Sequence, residues 1–231
     1  MSDAWEPTES VGMVQLDRST RVKICGITSV HDAQLAAAAG ADAIGLVFAE
    51  SPRQLNLKSA AAIVQALPPF VTPVALFANA TPEHIIATCE PLGIRTVQLH
   101  GNETPRILAE LTSYSILKAF RIADQATISG VRLWLDKAPY WPAGLLFDSF
   151  SRRTLGGSGE TFDWNLIPPR HVRGEKPALV LAGGLNPDNV EAAIQLVQPH
   201  AVDVSSGVES APGQKDPQLI IDFIAAVRRS R

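Results

Sequence analysis

The sequence predicts an α/β fold, a single (β/α)8 barrel of the TIM type, and three observations point to it. Short apolar runs alternate with helical stretches eight times from residue 21 onward, the pattern of βα units around a parallel sheet. The glycine-rich turns follow the sixth, seventh and eighth runs. Barrels commonly bind phosphate after strands seven and eight. An open doubly wound sheet, the alternative, places its glycines in the first βα turn, and Cys25-Gly26-Ile27-Thr28 lacks a G-x-G-x-x-G. Hydrophobic residues make up 46% of the 231-residue chain but aromatics only 6%. The core must therefore be built mainly from Ala, Val, Ile and Leu, which suits parallel strands covered by helices.

Residues 1–20 read as a polar leader, with Pro7, Gly12 and scattered acids and no periodicity, expected to be disordered or loosely packed. The barrel domain is expected over 21–231. Strands are predicted at 22–25, 41–48, 71–77, 96–99, 115–120, 144–147, 178–181 and 201–204. Helices are predicted near 30–39, 57–67, 82–91, 104–112, 124–130, 163–167, 188–197 and 217–229. Ser29 with Asp32 forms a capping-box-like entry to the first helix. Thr81-Pro82, Thr104-Pro105, Asn186-Pro187 and Asp216-Pro217 each place a capping side chain before a proline. Gly40 and Gly93 stand where left-handed helix exits are expected.

The formal net charge is −3, and the longest basic run is the terminal Arg228-Arg229-Ser230-Arg231. That run reads as a solvated helix end favoured by the helix dipole, so nucleic acid is not an expected partner. No apolar run approaches the ~20 residues needed to span a bilayer, so no membrane association is expected. The acidic N-terminus resembles neither a signal nor a transit peptide, and two cysteines make no disulfide framework. A reducing cytoplasm is the expected location. The five histidines show no metal-ligand spacing and no C-x-x-C occurs, so neither metal nor organic cofactor is expected.

In a barrel the active site lies at the C-terminal ends of the strands. Cys25, at the end of strand one, and Asp148, at the end of strand six, are the candidate proton-transfer pair. A thiol serves as a base if its pKa falls, and a carboxyl as an acid if its pKa rises. A cysteine on a buried strand is ordinarily a small hydrophobe, the reading kept for Cys89. A carboxylate at a strand end often only caps a loop, but Asp148 directly follows the apolar Leu145-Leu146-Phe147. Lys23 precedes Cys25 by two and shares its face. If that face is the lumen, Lys23 needs a partner, and Asp203 on the neighbouring strand eight is the acid on offer. The pair either positions the ligand or is purely structural. Arg53 follows a rigid Ser-Pro and matches carboxylate geometry, although a loop arginine is usually solvated. His100, before Gly101, either reaches the mouth or is a structural histidine. Gly183-Gly184 and Ser205-Ser206-Gly207 could cradle a phosphate with backbone N–H groups.

The motifs, in order, resemble phosphoribosylanthranilate isomerases. They are Lys23-Ile24-Cys25-Gly26-Ile27-Thr28, Gly45-Leu46-Val47-Phe48 with Ser51-Pro52-Arg53, and Val97-Gln98-Leu99-His100-Gly101. Next are Leu146-Phe147-Asp148-Ser149 with Gly156-Gly157-Ser158-Gly159 and Phe162-Asp163-Trp164. Last come Leu181-Ala182-Gly183-Gly184-Leu185 with Asn186 to Val190, Val202-Asp203-Val204-Ser205-Ser206-Gly207-Val208-Glu209, and Pro212 to Asp216. The resemblance implies an Amadori rearrangement of N-(5-phosphoribosyl)anthranilate to a 1-(2-carboxyphenylamino)-1-deoxyribulose 5-phosphate, in tryptophan biosynthesis and without a cofactor. It implies Asp148 as general acid, Cys25 as general base and Arg53 on the anthranilate carboxylate. Lys23, His100, Gly157 and Asp203 are expected beside the substrate. Gly183, Gly184, Ser205, Ser206 and Gly207 are expected around its phosphate. Neighbouring tryptophan-pathway enzymes are conceivable partners. The leader is extra to the family's usual start, Ser158 stands where some members have Thr, and 168–176 reads as a surface excursion. Two other readings use the same fold. A phosphosugar epimerase or tryptophan-synthase-α-like lyase would use carboxylates or a metal in place of the thiol, and a non-catalytic phosphoribosyl-binding barrel would need neither Cys25 nor Asp148.

Overall fold

In a computed structural model, which describes residues 19–149, 161–168 and 176–230, eight parallel strands close into a barrel in chain order. They are β1 (Arg21–Cys25), β2 (Ala43–Val47), β3 (Thr72–Phe77), β4 (Thr96–Leu99), β5 (Ser115–Ile122), β6 (Gly144–Ser149), β7 (Ala178–Leu181) and β8 (Ala201–Val204). Closure is made by β8 against β1, with Lys23 opposite Asp203 and Ile24 opposite Val204. Each strand alternates between two dry environments. Val22, Ile24, Ile44, Leu46, Val97, Leu99, Leu181 and Val202 join the large cluster shared with the helices. Ala119, Leu146, Val180 and Ala182 pack together inside the lumen. This double burial is why the strands read as mainly apolar runs, interrupted by polar residues such as Lys23, Gln98, Lys118 and Asp203 that are themselves buried.

Helices α1 (Val30–Ala39), α2 (Leu57–Gln65), α3 (Pro82–Cys89), α4 (Gln125–Asp136), α5 (Val190–Val197) and α6 (Pro217–Arg229) cover the strands. Their starts follow the expected chemistry in most cases. Ser29 Oγ accepts from the Asp32 backbone N–H, Thr81 Oγ1 from that of His84, and Asp216 Oδ1 from those of Gln218 and Leu219. Gly40 ends α1 with φ 104°, a conformation cheap only for glycine. Asn186 and Asn189 exchange reciprocal bonds, each side-chain oxygen accepting from the other's backbone N–H. That turn leads into α5 two residues later than expected.

Three elements differ from expectation. The stretch predicted as a helix at 104–112 is a 3₁₀ helix, Pro105–Glu110, and Thr104 makes no side-chain cap. The stretch predicted at 163–167 is a 3₁₀ turn, Trp164–Leu166. Both are too short to repay helix nucleation, so tighter i→i+3 bonding prevails. The helix predicted at 124–130 runs to Asp136, entered through a capping box between Asp124 and Thr127. A short hairpin, β9 (Glu209–Ala211) and β10 (Gln214–Lys215), follows β8. The leader up to residue 18, the loop carrying Gly157 and most of the 168–176 excursion lie outside the described residues. Among the described residues no helix is long and apolar enough to cross a membrane.

Candidate active site

The C-terminal ends of the strands surround an open cleft. Cys25, Arg53, His100, Asp148, Gly183, Gly184, Asp203, Ser205, Ser206 and Gly207 all line it. Strand β1 points Lys23 and Cys25 into the lumen. Gly45 on β2 makes room for them, since a Cβ there would lie 2.6 Å from Cys25 Sγ and 3.0 Å from Lys23 Nζ. Lys23 Nζ donates to Asp203 Oδ1 at 2.9 Å, with both side chains buried. The predicted pair is therefore present. Lys23 sits beneath the cleft, not in its wall, and Asp203 carries the pair to the surface of the site.

Burial pushes the Cys25 thiol above its ordinary value, while Lys23 and Lys215 pull it partly back. Burial also opposes the charge of Lys23, but Asp203 and Cys25 outweigh it and leave the ammonium favoured. Cys89, at the end of α3, is buried and pushed up to about 12 by desolvation, as befits an inert packing residue.

Asp148 is the penultimate residue of β6 and 8% exposed. Its Oδ1 accepts from the Ser149 backbone N–H at 2.8 Å, and its Oδ2 lies 3.2 Å from His100 Nε2. His100 Nδ1 lies in turn 2.8 Å from Gln98 Nε2. His100 thus reaches the mouth by contact with the acid.

Across the mouth, the turns after β7 and β8 are packed backbone to backbone. Gly183 has φ 85°, and a Cβ there would lie 2.2 Å from the Ser149 nitrogen; one on Gly207 would lie 1.9 Å from the Leu185 carbonyl oxygen. Only glycine permits this approach. Lys215 Nζ holds the β8 turn from below, donating to the Ser205 carbonyl at 3.0 Å and to Glu209 Oε1 at 2.7 Å.

Arg53 lines the cleft, but its guanidinium is already gripped by Glu209 through Nε and Nη2. The contact with Glu209 holds the Arg53 cation firmly charged. Burial works against the Glu209 carboxylate, yet Arg53 and Lys215 together keep its pKa below the usual range.

Sequence reasoning missed Glu209, Lys215 and Arg121. The run ending at Phe120 in fact continues, so β5 brings Arg121 to the mouth opposite Asp148. Its Nη2 is buried without a hydrogen-bond partner among the described residues. Gln98 was also passed over, although its spacing of two from His100 puts both on the lumen face. Among the described residues no group of three or more potential metal ligands converges.

A profile described as N-(5'phosphoribosyl)anthranilate (PRA) isomerase matches residues 22–226. The chain is 48% identical over 222 residues to an N-(5'-phosphoribosyl)anthranilate isomerase of Pseudomonas fluorescens, covering 92% of this chain and 97% of the relative. The fold is similar to phosphoribosyl anthranilate isomerase from Thermotoga maritima, with a TM-score of 0.82, 39% identity and coverage of 91% and 99%. It is also similar, at a TM-score of 0.78, 37% identity and the same coverage, to such an isomerase in complex with reduced 1-(o-carboxyphenylamino)-1-deoxyribulose 5-phosphate.

Proposed function

Because this chain belongs to the N-(5'-phosphoribosyl)anthranilate isomerase family, we propose how its residues divide the work of that reaction. The enzyme is an intramolecular aldose–ketose isomerase of tryptophan biosynthesis. It converts N-(5-phosphoribosyl)anthranilate to 1-(2-carboxyphenylamino)-1-deoxyribulose 5-phosphate.

Asp148 donates its proton to the furanose ring oxygen. The bond from C1′ to that oxygen breaks, and the anthranilate nitrogen lone pair forms the C1′–N double bond of an iminium. Cys25, as thiolate, removes the proton from C2′. Those electrons close the C1′–C2′ double bond and discharge the iminium, giving an enolamine that tautomerises to the ketone. The buried thiol resists ionisation in the free site. Ring opening supplies a cation beside it at the step that needs the thiolate, adding to the pull of Lys23. The turns after β7 and β8, with Gly183, Gly184, Ser205, Ser206 and Gly207, hold the 5-phosphate on backbone N–H groups. Arg53, fixed in place by Glu209, faces the anthranilate carboxylate with its remaining donors. Gly157, in the loop after β6, is assigned to the substrate by the family motif alone.

The observation that carries this reading is that Cys25, Asp148 and the two glycine turns, far apart in sequence, line one cleft. The test is the decay of phosphoribosylanthranilate fluorescence with purified variants. Cys25→Ser and Asp148→Asn are each expected to lose roughly 10²–10⁴-fold in turnover while still binding a phosphate ligand. Full turnover in Cys25→Ser would reject the thiol as base.

A further inference from the structure

We infer that Gln98 is a positioning residue for the general acid, acting through His100. The inference rests on Asp148 being the proton donor, as proposed above. Gln98 lies on β4, is fully buried, and faces the lumen two residues before His100. Three groups form a line from it to the reacting centre. Gln98 Nε2 is 2.8 Å from His100 Nδ1, and His100 Nε2 is 3.2 Å from Asp148 Oδ2.

An amide nitrogen only donates, so Nδ1 must be the bare nitrogen that accepts, and a neutral ring then carries its proton on Nε2. That N–H points at Oδ2. The other carboxyl oxygen accepts from the Ser149 backbone N–H. Two donors therefore fix the plane of the carboxyl, and both are in place to receive the carboxylate left when Asp148 gives its proton to the ring oxygen.

The opposite amide orientation would reverse the line. Gln98 Oε1 would accept a proton carried on Nδ1, and a bare Nε2 would draw the Asp148 proton toward the imidazole and away from the sugar. Gln98 selects between these two arrangements. Its Oε1 is buried with no hydrogen-bond partner among the described residues. A buried amide of purely structural role is normally satisfied at both ends. Among the described residues the bond to the ring is the one polar contact the side chain shows.

Long-range proton–nitrogen correlation spectra of the ¹⁵N-labelled protein test the inference, with the His100 signals assigned by their loss in His100→Asn. The wild-type ring is expected to be protonated on Nε2 and bare on Nδ1. Gln98→Met, which removes the donor at similar volume, should mix the tautomers, and Gln98→Glu should place a proton on Nδ1. In both variants kcat should fall about tenfold or more with KM nearly unchanged, the mark of an interaction made for the reacting state. A wild-type ring protonated on Nδ1 overturns the inference without touching the acid assignment. So does a loss of kcat in Gln98→Met with the tautomer unchanged, since that assigns Gln98 to packing. Retained turnover in Asp148→Asn overturns the acid assignment and this inference with it.

Discussion

Cys25 sits where charges of both signs compete for its proton. Lys23 pulls the thiol toward thiolate and Asp203 pushes the other way, both on top of a dominant burial effect. Removing either charge should therefore move the thiol in a known direction. In Lys23→Met the limb of kcat/KM that rises with pH should move to higher pH, and activity at pH 7 should fall about tenfold for every pH unit the limb travels. In Asp203→Asn the same limb should move to lower pH. A profile unmoved in both variants would show that Cys25 does not set that limb. Much of this geometry was legible in the sequence. The spacing of Lys23 and Cys25 put both on one face, and closure of the barrel brought Asp203 alongside. Glu209 and Arg121 were not legible for a common reason: each takes its meaning from a residue on another strand or loop, Glu209 from Arg53 and Arg121 from Asp148, whereas the spacing of Gln98 from His100 was a local signal that was passed over.

Elements hold the site by two different means. Beneath the loop after β4, Lys118 Nζ donates to Glu103 Oε2 at 2.7 Å and to the Gly101 carbonyl at 2.8 Å. Glu103 also accepts from the backbone N–H groups of Asn79 and Gly101. This buried pair fixes the loop that carries His100. Lys118→Met leaves the carboxylate without its cation and should cost about 3–5 kcal/mol in denaturant unfolding. Burial raises the Glu103 pKa, but Lys118 and the backbone N–H groups of Asn79 and of Glu103 itself hold it below the ordinary range. The resulting stabilisation is complete above the unfolded value near 4.3 and is lost as pH falls through the lower folded value. Unfolding measured from pH 6 to pH 3 should therefore show stability declining below about pH 4, and Glu103→Gln should flatten that decline. The turns after β7 and β8 hold by backbone proximity. Gly207→Ala pushes against the Leu185 carbonyl and should raise KM on the order of tenfold, with kcat less affected. The strands and most caps were read correctly because apolar runs and Ser, Thr or Asp before proline are local signals. The 3₁₀ segments were overread as helices because their length and missing cap, as at Thr104, are settled by packing.

At the scale of the molecule, the barrel is a device for bringing remote residues to one rim. Strands β1 and β6 are separated by more than a hundred residues of chain, yet closure through β8 and β1 sets Cys25 and Asp148 around one cleft with the turns after β7 and β8 between them. The chemistry asked of that rim is proton transfer within one substrate, so turnover is expected to be unchanged by a strong chelator. Loss of activity that returns on adding a divalent cation would contradict that. The sequence identified the rim because the fold class places it at the strand ends; it could not give the depth of each side chain, such as that of Lys23, which lies beneath the cleft lined by Cys25 and Asp203. The most direct test is a crystal structure of this protein with reduced 1-(o-carboxyphenylamino)-1-deoxyribulose 5-phosphate. The account expects the phosphate on the backbone of Gly183, Gly184, Ser206 and Gly207, Cys25 Sγ against C2′, and the Asp148 carboxyl on the other side of the sugar at the oxygen released by ring opening. A ligand seated with its C2′ beyond reach of Sγ, or with Asp148 turned away from the sugar, would contradict it.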